Sequence, residues 1–322
     1  MNFELTQDQR EIQTLTRDFA REWIEPNATE WDREHRFPRE LFMQLSELGL
    51  LGACIPEEYG GAGADFLSYI LVLEELSRAD AGVGVTVAVH TSAVTLPILT
   101  FGTDEQKSRF VPPLARGDVL GAFALTEPEV GSDAGSLRTR ADANGDGWTI
   151  TGAKQWITNG SHAGTFLLFA RTDQETPGAR GISAFILDAE HVRVTREEEK
   201  LGLNSSVTSD IVVEGAQVGR DRSLEGEQIH DVALDLEVVR VDGVIAGDHP
   251  GADRTVVAEE CLQREVEKVL GGHAHVLHGP LEVPELLVKM PAWLPQHRAT
   301  SIEAPDCAIF APSCAKCSSC EP

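Results

Sequence analysis

Residues 124–137 read ALTEPEVGSDAGSL and residues 150–160 read ITGAKQWITNG, and these two stretches are the most informative part of the chain. The first joins a β-rich run to a Pro/Gly turn that carries hydroxyl groups and backbone donors. Such a strand end can bind a polar ring edge or a phosphate. In the second, Trp156 and Thr158 are two residues apart, so a regular strand places both side chains on one face. A tryptophan is most often packed in a core, but the two stretches together favour Trp156 as a wall against an aromatic ligand.

Around these stretches, short β-rich runs alternate with turn signals between residues 119 and 222. The runs cover residues 120–125, 137–141, 148–151, 166–171, 182–187, 192–195 and 211–214. The sequence Asn144-Gly145-Asp146-Gly147 separates two of them and is a strong hairpin signal. Seven short strands of this kind predict an antiparallel barrel or sandwich rather than a doubly wound sheet.

Residues 1–118 instead carry apolar residues at helical spacing, as in the run from Ile12 to Trp23. Breaks at prolines and glycines divide this region into four to six helices, and Asp65 is placed to cap one of them. The sequence Gly60-Gly61-Ala62-Gly63 lies in one break. It follows a helical segment and lacks both the G-x-G-x-x-G spacing and a Walker lysine. We therefore expect a plain loop between helices and no Rossmann domain.

The composition excludes several classes of protein. The chain has 322 residues, of which 42% are hydrophobic, which is enough for two domains with buried cores. A formal net charge of −25 makes an extended surface for nucleic acid or anionic lipid unexpected. No run of consecutive apolar residues is long enough for a membrane helix, and Met1 to Glu4 do not resemble a signal peptide. We expect a soluble, cytoplasmic protein, with Cys54 the lone cysteine of the first 260 residues.

Residues 223–322 have a different composition. They contain half of the 16 prolines, six of the ten histidines and five of the six cysteines, with one clean helical stretch from Thr255 to Leu270. So many prolines interrupt long helices, so we expect an atypical, partly disordered tail. A shifted reading frame or a mis-joined gene model explains it better than a divergent extension. The spacing Cys307-x6-Cys314-x2-Cys317-x2-Cys320 allows a zinc or iron–sulfur site, but we favour an incidental cluster and expect no metal.

Four single residues receive ordinary structural interpretations. His90 lies in an apolar helical region, and a core or interface histidine is favoured over a catalytic base. Cys54 is interpreted as a small buried apolar residue. Lys154 and Arg171 are candidates for contacts with phosphate groups, but cations on strands usually face solvent.

Five blocks of sequence occur together in a recognisable order. They read IPEEYGGAG (residues 55–63), FGTDEQKSRFVPPLARG (101–117), ALTEPEVGSDAGSL (124–137), ITGAKQWITNG (150–160) and EEKLGLNSSVTSDIVVEGAQV (198–218). In order and spacing they resemble the acyl-CoA dehydrogenase family of flavoproteins. The resemblance covers residues 1–222, about two thirds of the chain, and does not extend into the last third.

The resemblance implies an α+β fold with an N-terminal helical domain (residues 1–118), a middle β domain (119–222) and, in the family, a four-helix bundle where residues 223–322 lie here. It implies FAD, an acyl-CoA substrate oxidised to the trans-2-enoyl-CoA, and an electron-transferring flavoprotein as acceptor. The residues that the family motifs place at the cofactor are Phe123, Leu125, Thr126, Gly131, Ser132, Trp156, Ile157 and Thr158. By the same resemblance, the Thr158 hydroxyl would bond the flavin N5 region, and Ser132 would also contact substrate.

The catalytic base of the family is a glutamate of the bundle, and residues 223–322 do not match that segment. Glu259, Glu260 and Glu265 lie on the one plausible helix of the tail, where acidic residues are ordinarily solvated. The base is therefore unknown, and the homo-oligomer typical of the family is doubtful for this chain. The alternatives are a non-catalytic remnant that binds flavin or CoA, and a flavin oxidase on the same fold.

Overall fold

The computed structural model describes residues 4–224, and the proposals for the tail therefore lie outside the described residues. Helices occupy the first half of this part of the chain. They are α1 (Gln7–Phe19), α2 (Glu25–Glu34), α3 (Arg39–Glu47), α4 (Phe66–Ala79), α5 (Ala81–Ala88), α6 (Leu96–Phe101) and α7 (Asp104–Ala115). A π-helical turn (Ala20–Ile24) joins α1 to α2, and another (Val89–Thr95) joins α5 to α6. Each π-helical turn makes one continuous rod of the two helices that it joins. Residues 4–224 therefore contain five helical rods, within the predicted range of four to six.

Side chains fix where these helices begin. Thr6 starts α1 with a capping box that it shares with Gln9. Asp65 caps α4 by accepting a hydrogen bond from the Ser68 N–H at 2.7 Å, which confirms its predicted role. The glycine-rich residues 60–63 lie in the loop between α3 and α4, as expected. The helix α7 continues through two prolines to Ala115, which lies within the predicted helical region of residues 1–118.

The second half of the described chain forms one eight-stranded sheet. The strands are β1 (Leu120–Ala124), β2 (Arg140–Asn144), β3 (Gly147–Thr158), β4 (Ala163–Arg171), β5 (Ile182–Asp188), β6 (Arg193–Glu197), β7 (Thr208–Gly219) and β8 (Ser223–Leu224). Their order is β6-β7-β3-β2-β4-β5-β8, with β1 also paired to β4. The hairpin between β2 and β3 is confirmed, with Asn144 opposite Gly147 and Gly145 at φ +56°.

The prediction of a purely antiparallel barrel or sandwich was wrong, because the sheet is mixed. Strand β1 runs parallel to β4 over most of its length, and β2 meets β4 in parallel at Arg140 and Arg171. The hairpin of β2 and β3 lies between β1 and β4 in sequence, and so provides the long crossover that a parallel pair requires. Strand composition predicts strands but not which strands become neighbours.

The helices and the sheet share an apolar core. One buried cluster combines Val94, Val111 and Leu114 from the helical region with Leu167 and Ile186 from β4 and β5. Strand β1 lies at this junction and also contacts the π-helical turn before α6. The helical region therefore supports the strand that ends in the ALTEP sequence.

His90 is a buried link between the helices and β1. Its Nδ1 accepts a hydrogen bond from the Gly121 N–H at 3.0 Å, and its Nε2 therefore carries the proton donated to the Leu114 carbonyl at 3.1 Å. Burial lowers the pKa of His90 from 6.5 to about 4, so the ring is neutral at pH 7. The prediction of a core histidine is confirmed.

The helical rod Ala81–Phe101 is long and apolar enough to cross a membrane by length and composition, although polar residues interrupt its apolar runs. Its buried polar side chains are bonded inside the fold. Thr91 Oγ1 donates to the Leu51 carbonyl at 2.8 Å, and Thr95 Oγ1 donates to the His90 carbonyl at 2.8 Å. These contacts are typical of the core helix of a folded domain.

We expect the free energy of unfolding to fall as the pH decreases from about 6.5 to about 4. Over this range the unfolded chain gains a proton at His90 while the folded chain does not, which costs at most about 3 kcal/mol. In His90→Gln this contribution is absent, so the difference in stability between the two proteins should shrink as the pH falls. Urea titrations at pH 7, 5.5 and 4.5 measure it. A difference in stability that does not change with pH would contradict the assignment of His90 as a buried, neutral histidine.

Candidate functional site

The two informative stretches lie side by side in the structure. The Gln155 N–H donates to the Thr126 carbonyl at 2.9 Å, and the Asn159 amide Nδ2 donates to the Gly121 carbonyl at 3.0 Å. The end of β1 therefore runs antiparallel to the last residues of β3. Residues 123–126 and 156–158, which we call the β1 segment and the β3 segment, are therefore neighbours, and their exposed and half-buried side chains form the candidate surface.

A buried ion pair lies between these segments. Lys154 Nζ is 2.9 Å from Glu127 Oε1, and the two side chains are 1% and 5% exposed. Lys154 Nζ also donates to the Leu125 carbonyl at 2.9 Å, while the Glu127 carboxylate accepts from the backbone N–H groups of Arg138 at 2.7 Å and Thr139 at 2.8 Å. Every charge in this arrangement therefore has a partner of opposite sign or a hydrogen-bond donor.

Burial acts on both ionisable groups. Burial lowers the pKa of Lys154 from 10.5 to about 8, although Glu127 opposes the shift. Burial also disfavours the Glu127 carboxylate, but Lys154 and the donors at Thr139 and Arg138 outweigh this effect and hold the pKa of Glu127 below its usual value. The interpretation of Lys154 as a solvent-facing cation was wrong. Its ammonium group has no free face for a phosphate.

The turn after β1 exposes two of the predicted cofactor contacts. Glu127 and Val130 bond to each other through their backbones, with N···O distances of 2.8 and 3.1 Å. Gly131 and Ser132 follow this tight turn and are exposed. A Cβ added to Gly131 would meet no atom within 4 Å, so the glycine faces open space. The turn thus leaves Gly131 and Ser132 exposed to solvent.

The predicted cofactor contacts on the two segments differ in how far their side chains are exposed. Phe123, Leu125, Thr126 and Thr158 are half-buried, and the Phe123 ring packs against Phe169 with centroids 5.1 Å apart. Ile157 is 1% exposed and packs in the core of the sheet. Its side chain is therefore unavailable, and any contact that Ile157 makes with a ligand must come from its backbone.

Trp156 is the most unusual residue of the surface. It is 59% exposed and has φ +59°, a left-handed conformation that is uncommon for a bulky residue. The pairing of β3 with β7 is irregular between Lys154 and Ile157, so the simple alternation assumed for Trp156 and Thr158 is interrupted there. A strained, exposed aromatic residue is typical of a binding site, where ligand contacts compensate for its exposure.

Arg171 is the second cation considered from the sequence. Its guanidinium donates to the carbonyl groups of Gly135, Leu137, Thr176 and Gly178. It is half-buried and holds together the loops that follow the turn and β4. Arg171 therefore has a structural role, and its contacts leave it poorly placed to bind a phosphate.

Two other features lie away from this surface. A cavity of about 560 Å³ is lined by the beginnings of β1 and β4 and by α3, with His162 stacked on Phe37 at 4.1 Å. Within the described residues, Asp188, Glu190 and His191 could together approach a metal ion. However, Arg222 already bonds Asp188 at 2.6 Å and supplies its counter-charge.

Comparisons with known proteins follow the same division of the chain. A model of the acyl-CoA dehydrogenase N-terminal domain matches residues 6–118, and a model of the middle domain matches residues 122–216. The chain belongs to the acyl-CoA dehydrogenase family. The resemblance drawn from the five sequence blocks is thereby confirmed, as is the combination of a helical N-terminal domain with a β domain.

Individual relatives are longer than this chain. An acyl-CoA dehydrogenase of Bacillus subtilis (strain 168) is 43% identical over 267 residues, which are 82% of this chain and 68% of the relative. The butyryl-CoA dehydrogenase of Megasphaera elsdenii has a TM-score of 0.70 at 39% identity, covering 74% of this chain and 64% of that one. An acyl-CoA dehydrogenase of Bacillus anthracis complexed with FAD has a TM-score of 0.67 at 36% identity, covering 72% and 40%.

The buried pair was not predicted from the sequence. Glu127 stands within ALTEP and Lys154 within ITGAKQWITNG, so each stretch contributes one charge to the junction. The sequence does carry a signal for this pair. A lysine and a glutamate in otherwise apolar or hydroxyl-rich stretches are well suited to pair with each other when both become buried.

We expect Trp156→Gly to be more stable to unfolding than Trp156→Ala by about 1 kcal/mol. Both substitutions remove the same exposed ring, but only glycine adopts φ +59° without strain. Urea denaturation of the two variants measures the difference. Equal stabilities would show that the left-handed conformation of Trp156 carries no cost.

Proposed function

We propose that this chain is the cofactor-binding part of an FAD-dependent acyl-CoA dehydrogenase, which converts an acyl-CoA thioester to the trans-2-enoyl-CoA. The observation that carries the proposal is the exposed, left-handed Trp156 on the β3 segment, bonded through the neighbouring Gln155 to the β1 segment. Family membership supplies the reaction. An electron-transferring flavoprotein is the proposed acceptor of the electrons.

The donor groups of the surface fit FAD. A flavin has a flat apolar ring with a polar edge, and its phosphates require hydrogen-bond donors. Trp156 offers an exposed aromatic side chain, Thr126 and Thr158 offer hydroxyl groups, and the turn at Gly131 and Ser132 offers backbone donors together with a hydroxyl. When bound, FAD supplies the acceptor for the hydride removed from the substrate.

The chain's own residues would orient the ligands. Thr158 would donate its hydroxyl to the reactive edge of the ring, and Thr126 would bond the opposite polar edge. Ser132, exposed after the turn, would contact the cofactor or the thioester substrate. A hydrogen bond from Thr158 would favour negative charge on the reduced ring and so tune its chemistry.

Glu127 is not the base that removes the α-proton. Its carboxylate is 5% exposed and accepts three hydrogen bonds from within the protein, so it has neither access to a substrate nor a free oxygen. The three glutamates considered in the tail (Glu259, Glu260 and Glu265) lie outside the described residues. No carboxylate of residues 4–224 is assigned as the base.

A second candidate function is a non-catalytic module that binds flavin or CoA. It is favoured by the same observation about the base. The two candidates share the flavin-binding surface. They differ in whether a bound acyl-CoA loses its α-proton.

To separate the two candidates, the full 322-residue chain is loaded with FAD, and its absorption near 450 nm is followed while butyryl-CoA and an electron acceptor are added. Bleaching by substrate, followed by turnover, is expected of the dehydrogenase. Bound flavin without bleaching would establish the non-catalytic module. A chain that binds no flavin would contradict the dehydrogenase, and a chain that binds neither flavin nor butyryl-CoA would contradict both candidates.

The Thr158 hydroxyl can be tested in the same preparation. Thr158→Val removes one hydrogen bond while keeping the shape of the side chain, so we expect the dissociation constant for FAD to increase about 2- to 10-fold. Thr151→Val, an exposed position earlier on β3, is the matched control and should leave the affinity unchanged. An unchanged affinity in Thr158→Val would remove Thr158 from the proposed site.

A further inference from the structure

The Glu127–Lys154 pair connects more of the chain than an ordinary ion pair. Lys154 belongs to β3 and lies two residues before Trp156. Its ammonium group reaches the Leu125 carbonyl of the β1 segment at 2.9 Å. A single side chain of β3 therefore holds the backbone of β1 at the position where both segments face the surface.

Glu127 extends the connection in the other direction. Its carboxylate accepts hydrogen bonds from the backbone of Arg138 and Thr139, which lead into β2. Glu127 also begins the turn that exposes Gly131 and Ser132, because its backbone exchanges two hydrogen bonds with Val130. One buried pair thus fixes the start of the turn, the end of β1 and the approach to β2.

Close packing supports the same junction. A Cβ added to Gly152 would lie 2.3 Å from Thr139 Oγ1, so the Thr139 side chain packs directly on the backbone of β3. The backbone N–H of Thr139 also bonds the Glu127 carboxylate. This packing therefore ties β3 to the same group of residues that the ion pair holds together.

We propose that the buried Glu127–Lys154 pair is the positioning element of the ligand surface, holding the β1 segment and the β3 segment at the separation that a flavin ring requires. This inference rests on the proposed function. Neither residue is catalytic, because neither side chain is exposed to a ligand. Their effect on the site is exerted through the Leu125 carbonyl, the turn and the backbone of β3.

The test uses the full chain in two variants, Lys154→Met and Glu127→Gln. Lys154→Met keeps the length of the side chain and removes both the charge and the bond to Leu125. Glu127→Gln keeps an acceptor and is the milder change, in case Lys154→Met does not fold. The matched control is Glu75→Gln, which removes a carboxylate that is 1% exposed and bonds Arg17 at 2.6 Å in the helical region.

Amide hydrogen exchange is measured first, on the chain without FAD. If the pair positions the surface, exchange in Lys154→Met should rise at least 10-fold in both the β1 segment (residues 123–126) and the β3 segment (residues 156–158), with Glu127→Gln intermediate. Glu75→Gln should leave both segments unchanged. Exchange that stays at the wild-type level in both segments, in a folded Lys154→Met or Glu127→Gln variant, would overturn the inference.

Flavin binding is the second measurement. The dissociation constant for FAD should increase at least 10-fold in Lys154→Met, and the absorption band of the remaining bound flavin should shift, whereas Glu75→Gln should keep the wild-type constant and spectrum. An unchanged constant and spectrum in Lys154→Met would also overturn the inference. If the wild-type chain binds no FAD, the proposed function fails, and the exchange measurement still decides whether the pair fixes the two segments.

Discussion

Burying a charge is costly unless it is paired, and the candidate site is built around one such pair. Lys154 and Glu127 lie in different sequence motifs, and each is almost completely inaccessible to solvent. The pair is stable only when β3, the end of β1 and the residues before β2 come together, because these segments supply its remaining hydrogen bonds. The surface formed by Thr126 and Trp156 is a consequence of that assembly.

The helical region contributes to the site indirectly. His90 bonds the Gly121 N–H at the beginning of β1, and the amide of Asn159 bonds the carbonyl of the same residue. Gly121 is thereby held from both the helices and the end of β3, and a Cβ there would lie 2.8 Å from Val94. Strand β1 is fixed at its start by the helices and at its end by Lys154, so the segment that faces a ligand has little freedom.

Much of this architecture could be predicted from the sequence. The helices follow from apolar spacing and caps such as Asp65, and the hairpin follows from the turn at Gly145. The parallel pairing of β1 with β4 could not be predicted, because strand partners depend on contacts between distant residues. These local patterns identify elements well, whereas the arrangement of those elements depends on the core that they form together.

The candidate site, like the fold, could be predicted only in part from the sequence. The motifs that resemble the family nominated Thr126, Trp156 and Thr158 as cofactor contacts, and the structure describes the two threonines as half-buried and Trp156 as exposed. The motifs did not reveal that Lys154 turns inward, because a cation on a strand ordinarily faces solvent. Nor did they reveal that the Ile157 side chain lies in the core. The irregular pairing around Trp156 breaks the alternation on which such predictions rely.

The most direct test of the account is the location of the flavin in a crystal structure of the full chain grown with FAD. We expect the ring against Trp156 and Thr158, with its polar edge at Thr126 and its phosphates near the turn at Ser132. A flavin bound elsewhere, for example in the cavity beside His162, would contradict the account, because the buried pair would then support a surface with a different role.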